Sequence, residues 1–170
     1  MWKLGDYLKP FLPTAFMVMV LVFLEVMATL RLPDLMSEIV DQGIAQGNIA
    51  LIWRTGGIML AVALGGVFCA ILGTFLASRA ATGFGRDLRQ AVFTKVEEFA
   101  PQEFNNFGTA SLITRTTNDV QQMQQMFLIS MRMAMRAPLM AIGGVLMVVK
   151  KDAQLALVLL ALIPVLALVV

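Results

Sequence analysis

Long apolar runs alternate with polar segments along this chain, and the alternation predicts membrane-spanning helices. Phe11–Leu30 is interrupted only by Glu25, and two further runs follow at Gly56–Ala77 and Phe127–Val149. A helix needs about 20 apolar residues to cross the roughly 30 Å hydrocarbon core of a bilayer. Each of the three runs meets that length, and Ala153–Val170 predicts the start of a fourth span.

The polar segment between the second and third runs, Ser78–Met126, predicts helices that continue beyond the membrane. Leu88, Val92 and Val96 recur at helical spacing, so residues 78–98 are predicted to extend the second helix until Pro101 interrupts it. A structureless loop of this length would be uncommon. The pattern therefore indicates an arm rather than a linker.

A short element and a new helix start are predicted after this interruption. Glu103–Phe107 forms the short element, Gly108 ends it, and Thr109 caps a helix that runs from about Ala110 into the third apolar run. About 20 extra residues on each side would project roughly 30 Å from the bilayer.

Composition supports a lipid environment and removes several classes of function. The chain is 59% apolar and 14% charged, with no His, a single Cys and a formal net charge of +2. The apolar fraction exceeds that of ordinary soluble domains, and the small net charge gives no reason to expect nucleic acid as a partner. Without His or clustered carboxylates, no catalytic residue, cofactor site or metal site is predicted.

The distribution of basic residues predicts the orientation of the chain. The N-terminal segment and the arm carry Lys3, Lys9, Arg79, Arg86, Arg89, Lys95 and Arg115, whereas the opposite side carries Arg31, Arg54, Lys150 and Lys151. Since cytoplasmic loops are enriched in basic residues, the N-terminus and the arm are predicted to be cytoplasmic. Residues 1–10 then fit an amphipathic segment lying on the inner leaflet.

Three charged residues inside the predicted spans are candidates for a cavity or substrate pathway: Glu25, Arg132 and Arg136. An ionised, unpaired carboxylate at that depth costs several kcal/mol. Glu25 is therefore expected either to line a water-filled cavity or to pair with a partner such as an arginine on another helix. The two arginines, which share a helix face, either snorkel or pair structurally, or they line a polar cavity.

Small and flexible residues complete the pattern of the spans. Glycines in the second and third runs are predicted to permit close helix packing; they include Gly65, Gly66, Gly73, Gly143 and Gly144. The many methionines either form an adaptable binding wall or fill lipid-facing and core positions.

Three local stretches resemble the transmembrane half of an ATP-binding cassette (ABC) exporter. LITRTTNDV at Leu112–Val120 is similar to the start of the family's third span, and Pro33–Asn48 is similar to the outer end of its first span. PQEFNNFG at Pro101–Gly108 lies where the family has its first coupling helix. The resemblance covers essentially the whole chain and is closest to bacterial multidrug-type half-transporters, which work as homodimers or heterodimeric pairs.

The resemblance implies a function, partners and cofactors beyond this chain. It implies export of amphiphilic or drug-like substrates by alternating access across the inner (plasma) membrane, with a second transporter half as partner. ATP and Mg²⁺ would bind to nucleotide-binding domains, whose phosphate-binding motif is absent from this sequence. The residues implied to contact those domains are Glu103, Phe104, Asn105, Asn106 and Phe107.

The predicted fold is an all-α membrane protein with exporter-type helices extended into the cytoplasm, three of them complete and the fourth truncated. The predicted segments are an interfacial elbow (1–10), a first span (11–41), a second span with its extension (54–99), the coupling helix (103–107), a third span with its extension (110–149) and the start of a fourth span (153–170). The alternative is a self-contained helical scaffold or small channel, which would form a defined oligomer by itself. A membrane-embedded enzyme ranks last.

Overall fold

The computed structural model describes residues 7–98 and 113–151, apart from the side chains of Arg115, Lys150 and Lys151. Its three long helices are α1 (Leu12–Glu38), α2 (Ile49–Glu97) and α3 (Val120–Lys151). A 3₁₀ turn at Lys9–Phe11 precedes α1, a π-helical turn at Ile39–Ile44 follows it, and another at Arg115–Asp119 precedes α3. No strand occurs in this part of the chain, so the all-α prediction is confirmed there.

All three helices are long and apolar enough to cross a membrane. In their most apolar windows, 22%, 6% and 0% of the residues respectively are buried against other described residues. A helix satisfies its own backbone hydrogen bonds, so its sides can be apolar all round in lipid. The exposed apolar faces therefore require lipid or further protein segments to cover them.

The connection between α1 and α2 is short, because helical structure continues through Ile44 and resumes at Ile49. α1 continues through Pro33, whose ring removes one helical hydrogen bond. The π-helical turn then leads to Gly47, which adopts a positive φ of 64° that few other residues tolerate. The Asn48 side-chain Oδ1 accepts a hydrogen bond from Leu51 N–H at 3.1 Å and caps the next helix. α2 consequently begins at Ile49.

α2 extends over 49 residues without a break. At a rise of 1.5 Å per residue it contains more than twice the length needed to cross a hydrocarbon core of roughly 30 Å. The helical continuity expected for residues 78–98 is therefore present as far as Glu97. Where the membrane ends along α2, and which side its charged part faces, stay predictions.

The start of the third long helix differs from the expected regular α-helix. Residues Arg115–Asp119 form a wide π-helical turn before α3 begins at Val120. The Thr117 hydroxyl donates a hydrogen bond to the Ile113 carbonyl at 2.7 Å. The Thr29 hydroxyl makes the same bond to the Glu25 carbonyl within the regular helix α1, so such a bond does not by itself cause the wider turn.

The chain divides into two compact units, and each contains parts of all three long helices. The first unit comprises Met1–Leu21 and Ile71–Ala134. Its buried apolar residues are Val18, Ala77, Ala80, Ala81, Phe84 and Val120. The ring of Phe84 lies 4.9 Å, centroid to centroid, from that of Phe127. Small alanines at helical spacing on α2 let this aromatic pair and Val18 of α1 pack closely.

The second unit comprises Val22–Ala70 and Met135–Val170. Val22, Val26 and Leu35 of α1 are its buried apolar residues, and Glu25 is buried on the same helix. Gly43 is also buried, and a Cβ there would lie only 2.6 Å from Cγ1 of Ile52. This close approach holds the α1–α2 connection compactly.

Several predicted segments lie outside the described residues: most of the elbow, the coupling helix at 103–107 and the start of the fourth span at 153–170. Within the elbow, only Tyr7, Leu8 and the 3₁₀ turn that follows them are described.

Candidate functional site

An ion pair inside the second unit joins two of the charged residues predicted within the spans. Nη1 of Arg136 on α3 lies 3.1 Å from Oε1 of Glu25 on α1. The Glu25 side chain is 11% exposed, whereas the Arg136 side chain is 45% exposed. The pair neutralises a carboxylate that would be costly to leave unpaired at this depth. The expected arginine partner of Glu25 on another helix is therefore Arg136.

Glu25 also borders an apolar cleft between α1 and α2 of the second unit. The cleft has a volume of about 200 Å³ and is lined by Glu25, Ala28, Thr29, Leu32, Val62, Ala63, Gly66, Val67 and Ala70. A Cβ added to Gly66 would lie 3.1 Å from Cβ of Ala28, so this glycine sets how closely the helices approach. One carboxylate thus borders an otherwise apolar surface, an arrangement that suits an amphiphilic ligand.

A second cleft of about 260 Å³ lies between α1 and α3 in the same unit. It is lined by Met27, Leu30, Arg31, Asp34, Gly143, Leu146 and Met147. Arg31 Nη1 lies 3.8 Å from Asp34 Oδ2, a largely exposed pair one turn apart. Met27 and Met147, two of the methionines considered for a binding wall, therefore line a cleft beside the charged Arg31 and Asp34. Their flexible thioether side chains can adapt to ligands of different shape.

The glycines predicted to serve helix packing separate into two groups. Gly66, Gly73 and Gly143 meet side chains of α1, namely those of Ala28, Leu21 and Leu30 respectively. Gly65 and Gly144 face open space within the described part of the chain. Composition alone could not separate these groups, because the difference depends on the rotation of each helix about its axis.

The other predicted site residues belong to the first unit or lie outside the described residues. Arg132 is partly buried and belongs to the first unit, whereas Glu25 and Arg136 belong to the second. Glu103, Phe104, Asn105, Asn106 and Phe107 lie outside the described residues. A substrate pathway through Glu25, Arg132 and Arg136, and the contact of the coupling helix with a nucleotide-binding domain, both stay predictions.

The end of α2 carries an exposed ion pair with a perturbed carboxyl group. Nζ of Lys95 donates a hydrogen bond to Oε2 of Glu98 at 2.7 Å. This hydrogen bond and the ammonium charge lower the pKa of Glu98 below its ordinary value. The pair lies in the charged extension and assists the last turn of the helix, where a basic residue is favourable.

Within the described residues, no three His, Cys, Asp or Glu side chains come together as metal ligands. The described residues do provide long apolar helices, the Glu25–Arg136 ion pair between α1 and α3, and two clefts in the same unit. This arrangement defines a helical membrane domain whose interior contains a polar pair.

Comparison with known proteins identifies which helical membrane domain this is. The family model described as the ABC transporter transmembrane region matches residues 15–170. The chain therefore belongs to that family and is part of a multi-pass membrane protein.

Individual relatives agree with this assignment. An uncharacterized ABC transporter ATP-binding protein of Mycobacterium tuberculosis (strain CDC 1551 / Oshkosh) is 39% identical over 164 residues, which cover 96% of this chain and 28% of that protein. The Bacillus subtilis (strain 168) protein named YfiB, also an ABC transporter ATP-binding protein, is 33% identical over 168 residues, covering 99% and 29%. The chain thus spans less than a third of the length of these relatives.

Proposed function

We propose that this chain forms the permease part of an ATP-driven exporter, which moves amphiphilic or drug-like molecules out of the cytoplasm by alternating access. The observation that carries the proposal is α2, which has no charged residue from Gly56 to Ala77 and then continues as the same helix into a charged extension. Such a helix would connect events in the cytoplasm to the spans.

The motor would lie outside this chain. The residues from Glu103 to Phe107 would contact a nucleotide-binding domain, and ATP with Mg²⁺ would bind there rather than to the chain described here. Family membership and the names of the relatives, which describe ATP-binding proteins, support this division of labour. A second transporter half, identical or different, would complete the pathway.

The substrate pathway would use the polar pair and its clefts. Glu25 and Arg136 form a neutral pair beside an apolar surface, and methionines line the neighbouring cleft. Amphiphilic molecules match this combination, because they require mainly apolar contacts with few polar ones. Arg132 would belong to the same pathway.

The exporter would lie in the inner (plasma) membrane with its N-terminus in the cytoplasm. The excess of basic residues in the N-terminal segment and the arm supports this orientation. The charged extension of α2 would then reach toward the motor.

The proposal is tested by reconstituting the full transporter polypeptide, with its partner half where one exists, in proteoliposomes. We expect ATP-dependent uptake of a fluorescent amphiphilic dye, and a fall of about tenfold in the variant Phe104→Ala/Phe107→Ala, because two docked aromatic side chains are typical binding hot spots. Phe93→Ala is the matched control, since Phe93 is an exposed phenylalanine of the α2 extension.

Two outcomes would contradict the proposal. Absence of ATP-dependent dye movement in the unsubstituted protein, with ATP hydrolysis intact, would argue against export of this class of substrate. An equal loss of transport in Phe93→Ala would argue against a specific contact at Phe104 and Phe107.

A further inference from the structure

A groove in the first unit lies beside the point where α2 becomes charged. Its volume is about 790 Å³, and its walls come from the 3₁₀ turn, the start of α1 and the middle of α2. Phe11 and Thr14 contribute to one wall, and Phe75, Arg79 and Arg86 contribute to the other. None of the described residues that line the groove is acidic.

The α2 wall changes from apolar to cationic along one face of the helix. Phe75, Arg79, Thr82 and Arg86 follow one another at spacings of four, three and four residues, which place them on the same side. Arg79 lies about 6 Å along the axis from Phe75, and Arg86 lies about 10 Å further. This stripe therefore passes from hydrocarbon-like surface to two positive charges over about 16 Å of the helix axis.

Close packing forms one end of the groove. A Cβ at Gly83 would lie 2.7 Å from Cε1 of Phe11, so only a glycine lets the Phe11 ring rest on the α2 backbone. The ring joins the beginning of the chain to α2 at this point. The groove is therefore a product of specific helix packing.

The two arginines have donors available to an anion. Arg79 is exposed and forms no ion pair with any residue that the structure describes. Arg86 Nε lies 2.9 Å from Oδ1 of Asp87, and the Arg86 side chain remains 76% exposed. Because a guanidinium has five N–H donors, this single contact leaves others for a phosphate oxygen.

We propose that this groove binds an anionic phospholipid, with its acyl chains along Phe75 and Leu76 and its phosphate held by Arg79, Thr82 and Arg86. An anionic lipid satisfies both parts of the stripe at once, whereas a free anion would leave the apolar part uncovered. The site uses none of the residues proposed above for the substrate pathway. It rests on membrane insertion of α2 and not on the identity of the transported molecule.

The test measures which lipid lies next to Phe75. The full polypeptide carries Phe75→Trp as a reporter, in a background where Trp2, Trp53 and any other tryptophan are replaced by Phe. It is placed in phosphatidylcholine nanodiscs that contain either brominated phosphatidylglycerol or brominated phosphatidylcholine, and bromine quenching of Trp fluorescence is compared. We expect an about thirtyfold preference for phosphatidylglycerol, since each of the two basic residues near a membrane surface contributes about a factor of five.

Variants decide whether the groove produces the preference. Arg79→Gln/Arg86→Gln is expected to reduce it to about one, whereas Arg79→Lys/Arg86→Lys keeps the charge and most of the preference. Arg89→Gln/Lys95→Gln is the charge-matched control, because it removes two positive charges from the same helix without altering the groove lining.

Four results would overturn the proposal. They are equal quenching by the two lipids, loss of the preference in the lysine variant, an equal loss in the charge-matched control, and removal of the preference by excess inorganic phosphate. The last result would show that the groove selects a free anion.

Discussion

Glu25 and Arg136 are the residues whose chemistry depends most on each other, because both carry charge within apolar helices. Their burial is unequal: the Glu25 side chain is 11% exposed and that of Arg136 is 45% exposed. A long arginine side chain can move its charge toward water or headgroups when it loses its partner. A short glutamate on the buried face of α1 has no such escape.

The first prediction follows from this asymmetry. Arg136→Gln is expected to lower the free energy of unfolding by about 1–3 kcal/mol, because it leaves the Glu25 carboxylate buried without its partner. Glu25→Gln should cost less, and Glu25→Gln/Arg136→Gln should recover most of the loss. The measurement is denaturant unfolding of the purified protein in detergent micelles. Additive losses in the double variant would mean that the two side chains do not act as a pair.

The second prediction compares neighbouring glycines on α2. A Cβ at Gly66 would lie 3.1 Å from Cβ of Ala28, whereas one at Gly65 meets nothing among the described residues. Gly66→Ala is expected to destabilise the protein by about 1 kcal/mol through overpacking. Gly65→Ala should be neutral or stabilising by up to about 1 kcal/mol, since alanine favours a helix over glycine.

Thermal unfolding of both single variants in the same detergent checks this comparison. If Gly65→Ala were the more damaging change, a segment outside the described residues would have to cover Gly65, and the packing assigned to Gly66 would not control stability.

At the scale of elements, apolar run lengths predict the three long helices because membrane thickness sets a minimum for each of them. Spacing of apolar residues also predicts that the second helix continues after Ala77, as α2 does. The π-helical turn at Arg115–Asp119 could not be predicted in this way, because the spacing of apolar residues does not separate a single π-helical turn from an α-helical one. The residue at which α2 begins is equally hard to predict, since a polar stretch that ends in Asn48 gives both a loop signal and a cap signal.

The sequence predicts that Glu25 has a charged partner or water beside it, but it does not predict which arginine that partner is. A carboxylate in a span requires either a partner or water, and the sequence offers Arg132 and Arg136 as partners on another helix. Which of the two pairs with Glu25 depends on the rotation of α1 and α3 about their axes. Sequence spacing within one helix contains no information about that rotation.

The third prediction concerns the first turn of α2. The Asn48 side chain accepts the hydrogen bond of Leu51 N–H, so Asn48→Ala should destabilise this helix start by about 1 kcal/mol. That loss corresponds to about fivefold faster amide exchange in residues 49–52, measured by hydrogen–deuterium exchange in nanodiscs. Asn48→Ser is the control, because serine also caps helices. Equally fast exchange in both variants would mean that the cap does not limit opening of this turn.

At the scale of the whole molecule, the family assignment and the three long helices establish a multi-pass membrane domain. The prediction of its orientation rests on the basic residues of the N-terminal segment and the arm. A positive-inside bias sets topology through charges near the span ends. The arm and the α1–α2 connection should therefore face opposite sides of the membrane.

The last prediction tests this topology with single cysteines in the full polypeptide, in which Cys69 and any other cysteine have been replaced by Ala. In this background, Asn105→Cys should react with a membrane-impermeant maleimide only in inside-out vesicles, because the arm is expected to be cytoplasmic. Gln46 is an exposed position in the α1–α2 connection. Gln46→Cys should react only when the reagent reaches the outer face of the plasma membrane, as it does in whole cells. If Asn105→Cys and Gln46→Cys were labelled from the same side, α2 would not cross the membrane between them, and the predicted topology would be wrong. Exchange of the two patterns would place the arm outside the cell, where no ATP-driven motor could act on it.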